Sequence, residues 1–259
     1  MQKKLENKKL LEIELHKKIA RNYSDIREKN RSSAYYNNYW AKKMLSLLKI
    51  EPMKILDYGC GTGRLYPIIK RMFNSSYLGI DLSNDMLNVA KKKFKGIAVK
   101  QEDGEDLKLK NNSFDTVIVF GALHHLPNPK KGLAEINRVL AKKGTLLISE
   151  PTSNIIMKSI RGLVYKSRKH FSLSHKTFLH SELISLIKNS GFKIKKIKYF
   201  GMLAFPFSFP DIIPVLRYFP FPLLKILISI DSILLEMPII NSFRFATIIL
   251  AEKSSKELP

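Results

Sequence analysis

The chain has 259 residues, of which 45% are hydrophobic, and this is ordinary for a globular protein with a sizeable core. Its 45 lysines and arginines outnumber 22 aspartates and glutamates, giving a formal net charge of +23 at pH 7. Such an excess favours an anionic partner, namely nucleic acid, an anionic membrane surface or a phosphorylated substrate, although a lysine-rich proteome explains it equally well. The single cysteine, Cys60, excludes an internal disulfide and a cysteine-rich zinc site.

The first 50 residues read as a helical extension. Leucines and isoleucines recur in a partly helical rhythm up to about Arg31, and a second helix is predicted from Tyr35 to Leu48. The N-terminus is charged and lacks the apolar core of a signal peptide, so we expect a cytoplasmic protein. We therefore divide the chain into an extension, residues 1–50, and a main domain, residues 51–259.

A glycine-rich turn follows the first predicted strand. The stretch Lys54–Arg64 contains a short apolar strand, Asp57, three glycines at alternate positions and a helix start. Glycine tolerates positive φ and lets a ligand lie against the backbone, while the helix that follows presents unpaired N–H groups. The spacing G-x-G-x-G differs from the dinucleotide pattern G-x-G-x-x-G, because Arg64 stands where the third glycine would fall.

Strands and helices then alternate along the chain. The predicted strands after the first are Tyr77–Asp81, Ile97–Gln101, Asp115–Phe120, Gly144–Glu150, Phe192–Phe200 and Phe243–Glu252. The predicted helices between them are Arg64–Phe73, Ser83–Phe94, Pro129–Leu140 and Ser181–Asn189. This order predicts a parallel sheet with right-handed crossovers.

Two more acids stand just after predicted strands. A carboxylate at Asp81 can accept hydrogen bonds from both hydroxyls of a ribose, and Asp103, followed by Gly104, can accept from an adenine amino group. Together with the glycine turn, these features resemble the class I S-adenosylmethionine-dependent methyltransferases. The resemblance runs from about Lys54 to Glu150 and is specific as a set.

The resemblance implies S-adenosylmethionine as the cofactor and assigns residues to it. The assigned residues follow the first four strands: Asp57, Gly59, Gly61 and Gly63 at the methionine end, Asp81 and Leu82 at the ribose, Asp103 and Gly104 at the adenine, and Phe120 along the molecule.

The resemblance also implies the fold. We expect a Rossmann-like α/β sandwich with a seven-stranded sheet, in which six strands are parallel and the last is antiparallel beside strand six. Residues 151–180 would form a lid over the acceptor, and residues 201–240 an apolar insertion between strands six and seven. The aromatic cluster Tyr35–Trp40 either closes over the cofactor or substrate, as this segment does in related enzymes, or packs in the core.

Two adjacent histidines, His124 and His125, follow the fourth strand and would face the transferred methyl group. Histidine is a common general base, so both are catalytic candidates, although a similar Leu-His-His element is largely structural in related enzymes. Adjacent side chains point in different directions, so no metal site is predicted. The Asn/Asp-Pro-Pro-Tyr element that related enzymes use on exocyclic amines is missing after Phe120, which favours O- or C-methylation of a small acceptor.

The last third of the chain contains a basic stretch and an apolar stretch. Between Lys158 and Lys198 there are 11 lysines and arginines and one acid, Glu182. Residues 201–240 are rich in phenylalanine and proline, but prolines and charges interrupt them, so they do not supply the ~20 apolar residues of a membrane span. This segment fits a membrane interface, the wall of an apolar substrate pocket or a dimer contact.

We therefore predict an S-adenosylmethionine-dependent methyltransferase that acts on O or C of a small, hydrophobic or lipid-linked acceptor. The expected partner is a small-molecule or lipid-like acceptor, and peripheral membrane contact is one of the roles left open for residues 201–240. Nucleic acid is less favoured, because the basic stretch has no recognisable RNA-binding module beside it. The alternatives are an RNA- or protein-directed methyltransferase and a non-catalytic, nucleic-acid-associated protein that binds the same cofactor. A nicotinamide-dependent dehydrogenase is disfavoured by the glycine spacing and by Asp103. The oligomeric state stays open.

Overall fold

The structure, a computed structural model, describes residues 7, 9–11, 13–14, 29–154, 177–208, 216 and 218–254. The strands are β1 Lys54–Tyr58, β2 Ser76–Asp81, β3 Val99–Gln101, β4 Phe114–Phe120, β5 Leu140–Ser153, β6 Phe178–Leu179, β7 Phe192–Phe200 and β8 Ala246–Lys253. The α-helices are α1 Arg31–Leu45, α2 Tyr66–Met72, α3 Asn84–Lys93, α4 Pro129–Val139, α5 His180–Asn189, α6 Phe205–Ser208 and α7 Phe221–Leu234, and 3-10 turns cover Leu123–His125 and Ile240–Phe243.

The strands form one mixed sheet in the order β3-β2-β1-β4-β5-β8-β7. Strands β1 to β5 pair in parallel, whereas β8 is antiparallel to both of its neighbours, β5 and β7. Strand β7 therefore runs in the same direction as β1 to β5, and the predicted Rossmann-like sheet with one inserted antiparallel strand is confirmed. The two-residue β6, which pairs with the end of β5, was not predicted.

Local side-chain signals fix the helix starts. The Ser83 hydroxyl accepts a hydrogen bond from the Met86 N–H at 3.3 Å, which caps α3. The Asn128 side chain accepts from the Lys131 N–H at 3.3 Å, and Pro129 supplies a first residue whose φ suits a helix. These caps set where the chain leaves the sheet edge and turns back along its face.

An aromatic cluster on α1 packs in the core at one face of the sheet. Tyr36 and Trp40 are buried; the Trp40 ring stacks on Phe200 with centroids 5.1 Å apart and meets Phe120 edge-on at 4.7 Å. The Trp40 Nε1–H also donates to the Ser149 hydroxyl at 3.0 Å. Of the two roles that the sequence left open for this cluster, the structure therefore shows core packing. The opposite face of the sheet packs against α4 and α5.

Residues 201–245 connect β7 to β8 and carry α6 and α7. The buried Asp231 on α7 accepts three backbone hydrogen bonds, from the N–H groups of Met202, Leu203 and Ala204, at 3.0, 2.8 and 3.0 Å. A single carboxylate thus ties α7 to the chain segment that leaves β7.

Most of the predicted lid, residues 155–176, lies outside the described residues. Among the residues that are described, no helix combines the length and the hydropathy needed to cross a bilayer.

Candidate active site

The glycine turn after β1 is closed on one side and open on the other. Gly59, Gly61 and Gly63 have φ values of 72°, 54° and 74°, which L side chains rarely adopt. A Cβ at Gly59 would overlap the Cβ of Ala122, whereas a Cβ at Gly61 would have no neighbour within 4 Å. The turn therefore packs against the loop after β4 and exposes its middle glycine to open space.

Asp57 lies one residue before the end of β1, behind this turn. It is buried, and its carboxylate accepts a hydrogen bond from the Tyr77 hydroxyl at 2.8 Å. Burial raises the pKa of Asp57 to about 7, although the Tyr77 hydrogen bond and the charge of Arg64 favour the ionised form. This carboxyl group therefore titrates near neutral pH.

Asp81 joins the ends of β1 and β2. One carboxylate oxygen accepts from the Gly61 N–H and the other from the Ser83 N–H, both at 2.9 Å. The next residue, Leu82, accepts from the Gln101 side chain through its carbonyl at 3.0 Å. The carboxylate thus holds the glycine turn and the start of α3 at one place on the sheet edge.

The loop after β3 brings Asp103 and Gly104 to the same edge. A Cβ at Gly104 would overlap the Tyr58 hydroxyl, so only glycine fits there. The Asp103 carboxylate pairs with Lys9 at 2.5 Å, and Lys9 also lies 3.0 Å from Glu105. Sequence reasoning did not predict this contact, because Lys9 is 94 residues away in the chain.

Phe120, at the end of β4, lies beneath two side chains. The Arg64 guanidinium carbon lies 4.7 Å from the centre of its ring, and Arg64 also donates to the Asn37 side chain at 3.2 Å. Trp40 covers another part of the same ring. In the sequence, Arg64 was used only to distinguish the glycine spacing from the dinucleotide pattern. Its contacts with Phe120 and Asn37 were not predicted.

The histidine loop after β4 is fastened by a buried carboxylate. One oxygen of Glu150, on β5, accepts from the N–H groups of Ala122 and Leu123 at 3.0 and 2.7 Å. The other oxygen lies 2.7 Å from His124 Nδ1. The His125 ring lies beside the His124 ring, with centroids 4.1 Å apart.

Glu150 is buried completely, and its burial raises its pKa to about 7. The Leu123 N–H and the nearby His125 favour its ionised form. Sequence reasoning missed Glu150 as a site residue. The available signal was an acid at the carboxyl end of a buried strand, the same signal that identified Asp57 and Asp81.

All the predicted site residues therefore meet at one edge of the sheet, the carboxyl ends of β1 to β5, where ligands bind in open α/β folds. Contact between Ala122 and Gly59 brings the His124–Glu150 pair beside the glycine turn. Among the described residues, no group of three or more histidine, cysteine or acidic side chains is arranged to hold a metal ion.

Comparisons with known proteins agree with this architecture. Residues 56–148 match the family described as "Methyltransferase domain". The chain is 31% identical over 193 residues to the ubiquinone/menaquinone biosynthesis C-methyltransferase UbiE of Campylobacter jejuni, covering 62% of this chain and 81% of that one. It is 34% identical over 155 residues to a demethylmenaquinone methyltransferase of Lactobacillus johnsonii, covering 55% and 63%.

A solved S-adenosylmethionine-dependent methyltransferase structure from Thermotoga maritima has the same fold. It superposes with a TM-score of 0.63 at 18% identity and covers 93% of this chain and 99% of that one. The fold and the edge site thus define a Rossmann-like α/β protein with a ligand site at the carboxyl edge of its sheet. Taken with its relatives, the chain belongs to the class I S-adenosylmethionine-dependent methyltransferases. It is an enzyme, and its cofactor is S-adenosylmethionine.

Proposed function

We propose that this enzyme methylates a carbon or oxygen of a small, lipid-like acceptor, with His124 as the general base. The pairing of His124 with the buried Glu150, beside the glycine turn, is the observation that carries the proposal. The acceptor class is supported by the relatives, which are named for ubiquinone and menaquinone biosynthesis. The identity of about 31% supports the class of acceptor rather than one molecule.

The polar groups at the sheet edge suit the cofactor. Carboxylates complement an ammonium group and ribose hydroxyls, and the open side of Gly61 leaves room against the backbone. We assign the cofactor to the residues that line this edge: Asp57, Gly59, Gly61 and Gly63 for the methionine end, Asp81 and Leu82 for the ribose, Asp103 and Gly104 for the adenine, and Phe120 alongside. When bound, the cofactor supplies a methyl group that its sulfonium makes electrophilic.

The protein then has to orient the acceptor for in-line displacement and to remove a proton from it. Glu150 accepts the Nδ1–H of His124, which leaves Nε2 as the proton acceptor. As Nε2 takes the proton of an acceptor hydroxyl, the oxygen or a conjugated ring carbon becomes nucleophilic. The Glu150 carboxylate stabilises the imidazolium that results, and so acts as a positioning residue. His125, the second candidate from the sequence, lies against the His124 ring and has a supporting role.

The substitution Glu150→Gln tests this arrangement. Glutamine can still accept the two backbone hydrogen bonds, but its amide N–H would face the Nδ1–H of His124. We expect kcat to fall about 100-fold, a loss typical of general acid–base catalysis, with cofactor affinity nearly unchanged. In the wild type, activity should rise as the pH passes about 7, because Glu150 loses its proton there. The variant should lack that part of the rise.

The pH profile separates a positioning role from a purely structural one. His124 and His125 face Glu150 from the loop after β4, and Tyr58 faces it from β1 with a pKa that burial raises well above its ordinary value. Glu135→Gln is the matched control, because that glutamate also accepts a backbone N–H, from Leu107 at 2.8 Å, but lies on α4. A Glu150→Gln enzyme with wild-type kcat and pH profile would contradict the proposal.

The acceptor class is tested with methyl-labelled S-adenosylmethionine. Purified enzyme is incubated with a whole-cell extract, and the label is partitioned between organic, aqueous, RNA and protein fractions. We expect label in the organic fraction, and Asp81→Ala should abolish it. Label found only in RNA or protein would replace the lipid-like acceptor with one of those polymers.

A further inference from the structure

Helix α7 exposes an apolar stripe. Four large apolar residues recur along it with spacings of three and four, namely Leu223, Ile226, Ile230 and Ile233, and Met237 continues the series just after the helix ends. All five are between 38% and 71% exposed, and the spacing of the first four places them along one side of α7. Large apolar side chains that share one exposed helix face mark an interaction surface rather than scattered surface residues.

The opposite side of α7 holds the helix firmly in place. Leu224 and Ile228 are buried in the hydrophobic cluster that contains α1 and the sheet. Asp231 on the same side accepts its three backbone hydrogen bonds, and the Tyr39 hydroxyl contacts that of Ser232 at 3.0 Å. The apolar stripe is therefore the outward face of an anchored helix, and substitutions in it leave the core contacts intact.

The charges around the stripe are mainly positive. At the start of α7, Arg31 and Lys225 lie over the Phe221 ring, 4.1 and 5.1 Å from its centre. Near its end, Glu236 pairs with Lys198 at 2.6 Å, which lowers the pKa of the glutamate, and the lysine balances its negative charge. With a net charge of +23 on the whole chain, two copies meeting through this face would repel each other, whereas an anionic surface would attract it.

Helix α7 lies near the carboxyl edge of the sheet. Helix α7 packs near Phe200 and Gly201, at the carboxyl end of β7, which runs in the same direction as the strands that carry the site. Its 14 residues span about 21 Å, which is too short to cross the ~30 Å hydrocarbon core of a bilayer. A helix with one exposed apolar side can instead lie along the membrane surface.

We infer that α7 docks in the interface of an anionic lipid bilayer, with the apolar stripe in the boundary between headgroups and acyl chains and the flanking cations against anionic headgroups. Apolar burial and electrostatic attraction combine in such interfacial helices. This docking brings the carboxyl edge of the sheet towards the membrane, from which a lipid-like acceptor would be drawn. The inference stands independently of the acceptor, because vesicle binding needs no methyl transfer.

The test is sedimentation of the purified full-length enzyme with vesicles of phosphatidylcholine alone or of phosphatidylcholine mixed with phosphatidylglycerol. We expect binding to the anionic vesicles, weaker binding as NaCl is raised, and little binding to phosphatidylcholine alone. The double substitution Ile226→Gln and Ile233→Gln should weaken the partition coefficient by about tenfold or more, since both exposed side chains lose their apolar burial.

Ile50→Gln is the matched control, because Ile50 is 85% exposed but precedes β1 at the opposite edge of the sheet. It should bind vesicles as the wild type does. Activity on a detergent-dispersed acceptor should be the same in wild type and double variant, which separates membrane docking from catalysis. Failure of the wild type to bind anionic vesicles, or unchanged binding by the double variant, would overturn the inference. Concentration-dependent dimerisation that the double variant abolishes, without vesicle binding, would assign the stripe to a second copy instead.

Discussion

At the scale of single residues, two buried carboxyl groups define the chemistry of the site edge. Asp57 and Glu150 both have a pKa near 7, because burial penalises their ionised forms more than their hydrogen bonds stabilise them. Each is close to a cation or a histidine that its charge can influence. Both carboxyl groups therefore change charge near pH 7.

The raised pKa of Asp57 makes a prediction about stability. The folded protein holds this proton up to about pH 7, while the unfolded chain releases it near pH 3.8, so stability falls as the pH rises between these values and levels off above. Asp57→Asn removes this titration but keeps an oxygen for the Tyr77 hydroxyl. We expect its free energy of unfolding to decline less between pH 5 and 7, by at most about 1.4 kcal/mol per pH unit.

Denaturant unfolding at several pH values measures this difference. Asp106→Asn is the control, because that exposed aspartate, paired with Lys108, has a lowered pKa and should not titrate between pH 5 and 7. If the free energy of unfolding fell equally with pH in the wild type and in Asp57→Asn, the raised pKa of the buried Asp57 would be contradicted. Glu150 contributes a slope of the same sign, so some decline should persist in the variant.

At the scale of elements, the carboxyl ends of the strands and the helix α7 depend on carboxylates that bind backbone N–H groups. Asp81 fastens the glycine turn, Glu150 the histidine loop and Asp231 the segment after β7. In each case an acid from one element satisfies backbone donors of another. These hydrogen bonds fix the conformation of a loop even where few of its own side chains pack in the core.

Replacing Asp231 should therefore destabilise the protein through its backbone donors. In Asp231→Asn, one oxygen remains for three N–H groups, and the new amide N–H faces at least one of them. We expect the free energy of unfolding to drop by about 2 to 4 kcal/mol, the range for buried donors left without partners. Chemical denaturation measures the change, and the surface variant Asp106→Asn should be close to wild type. A loss no greater than that of the surface variant would show that water can replace this carboxylate.

At the scale of the whole molecule, distant parts of the chain converge on one edge of the sheet. Lys9 reaches Asp103, α1 covers Phe120 through Trp40, and the segment between β7 and β8 packs on α1 through Leu224. The edge that carries the candidate cofactor residues is thus bordered by the N-terminal region and by α7. Helix α7 and the site therefore lie at the same edge of the sheet.

Most of the fold could be predicted from the sequence, because local signals determine it. Alternating apolar strands and capped helices predicted the parallel sheet, and the β-branched run before Phe120 marked the buried β4. The glycine spacing with Asp81 and Asp103 indicated the family. Glycine marks the positions where the backbone has positive φ, and an acid just after a strand marks a carboxylate at the ligand-binding edge, so both can be identified from residue type alone. Element boundaries shifted, as where β5 extends to Ser153, and the short β6 has too few residues to leave a pattern. The helices α6 and α7 within the apolar insertion were not predicted.

The sequence by itself thus determined the class of enzyme, its cofactor and the strand ends at which the site residues stand. Only the tertiary structure decided that Glu150 holds His124, that Arg64 lies over Phe120, and that Lys9 pairs with Asp103. It also decided which side of α7 is buried and which is exposed. The physical reason is that these contacts join residues far apart in the chain, and their partners are set by strand order and helix packing rather than by local spacing.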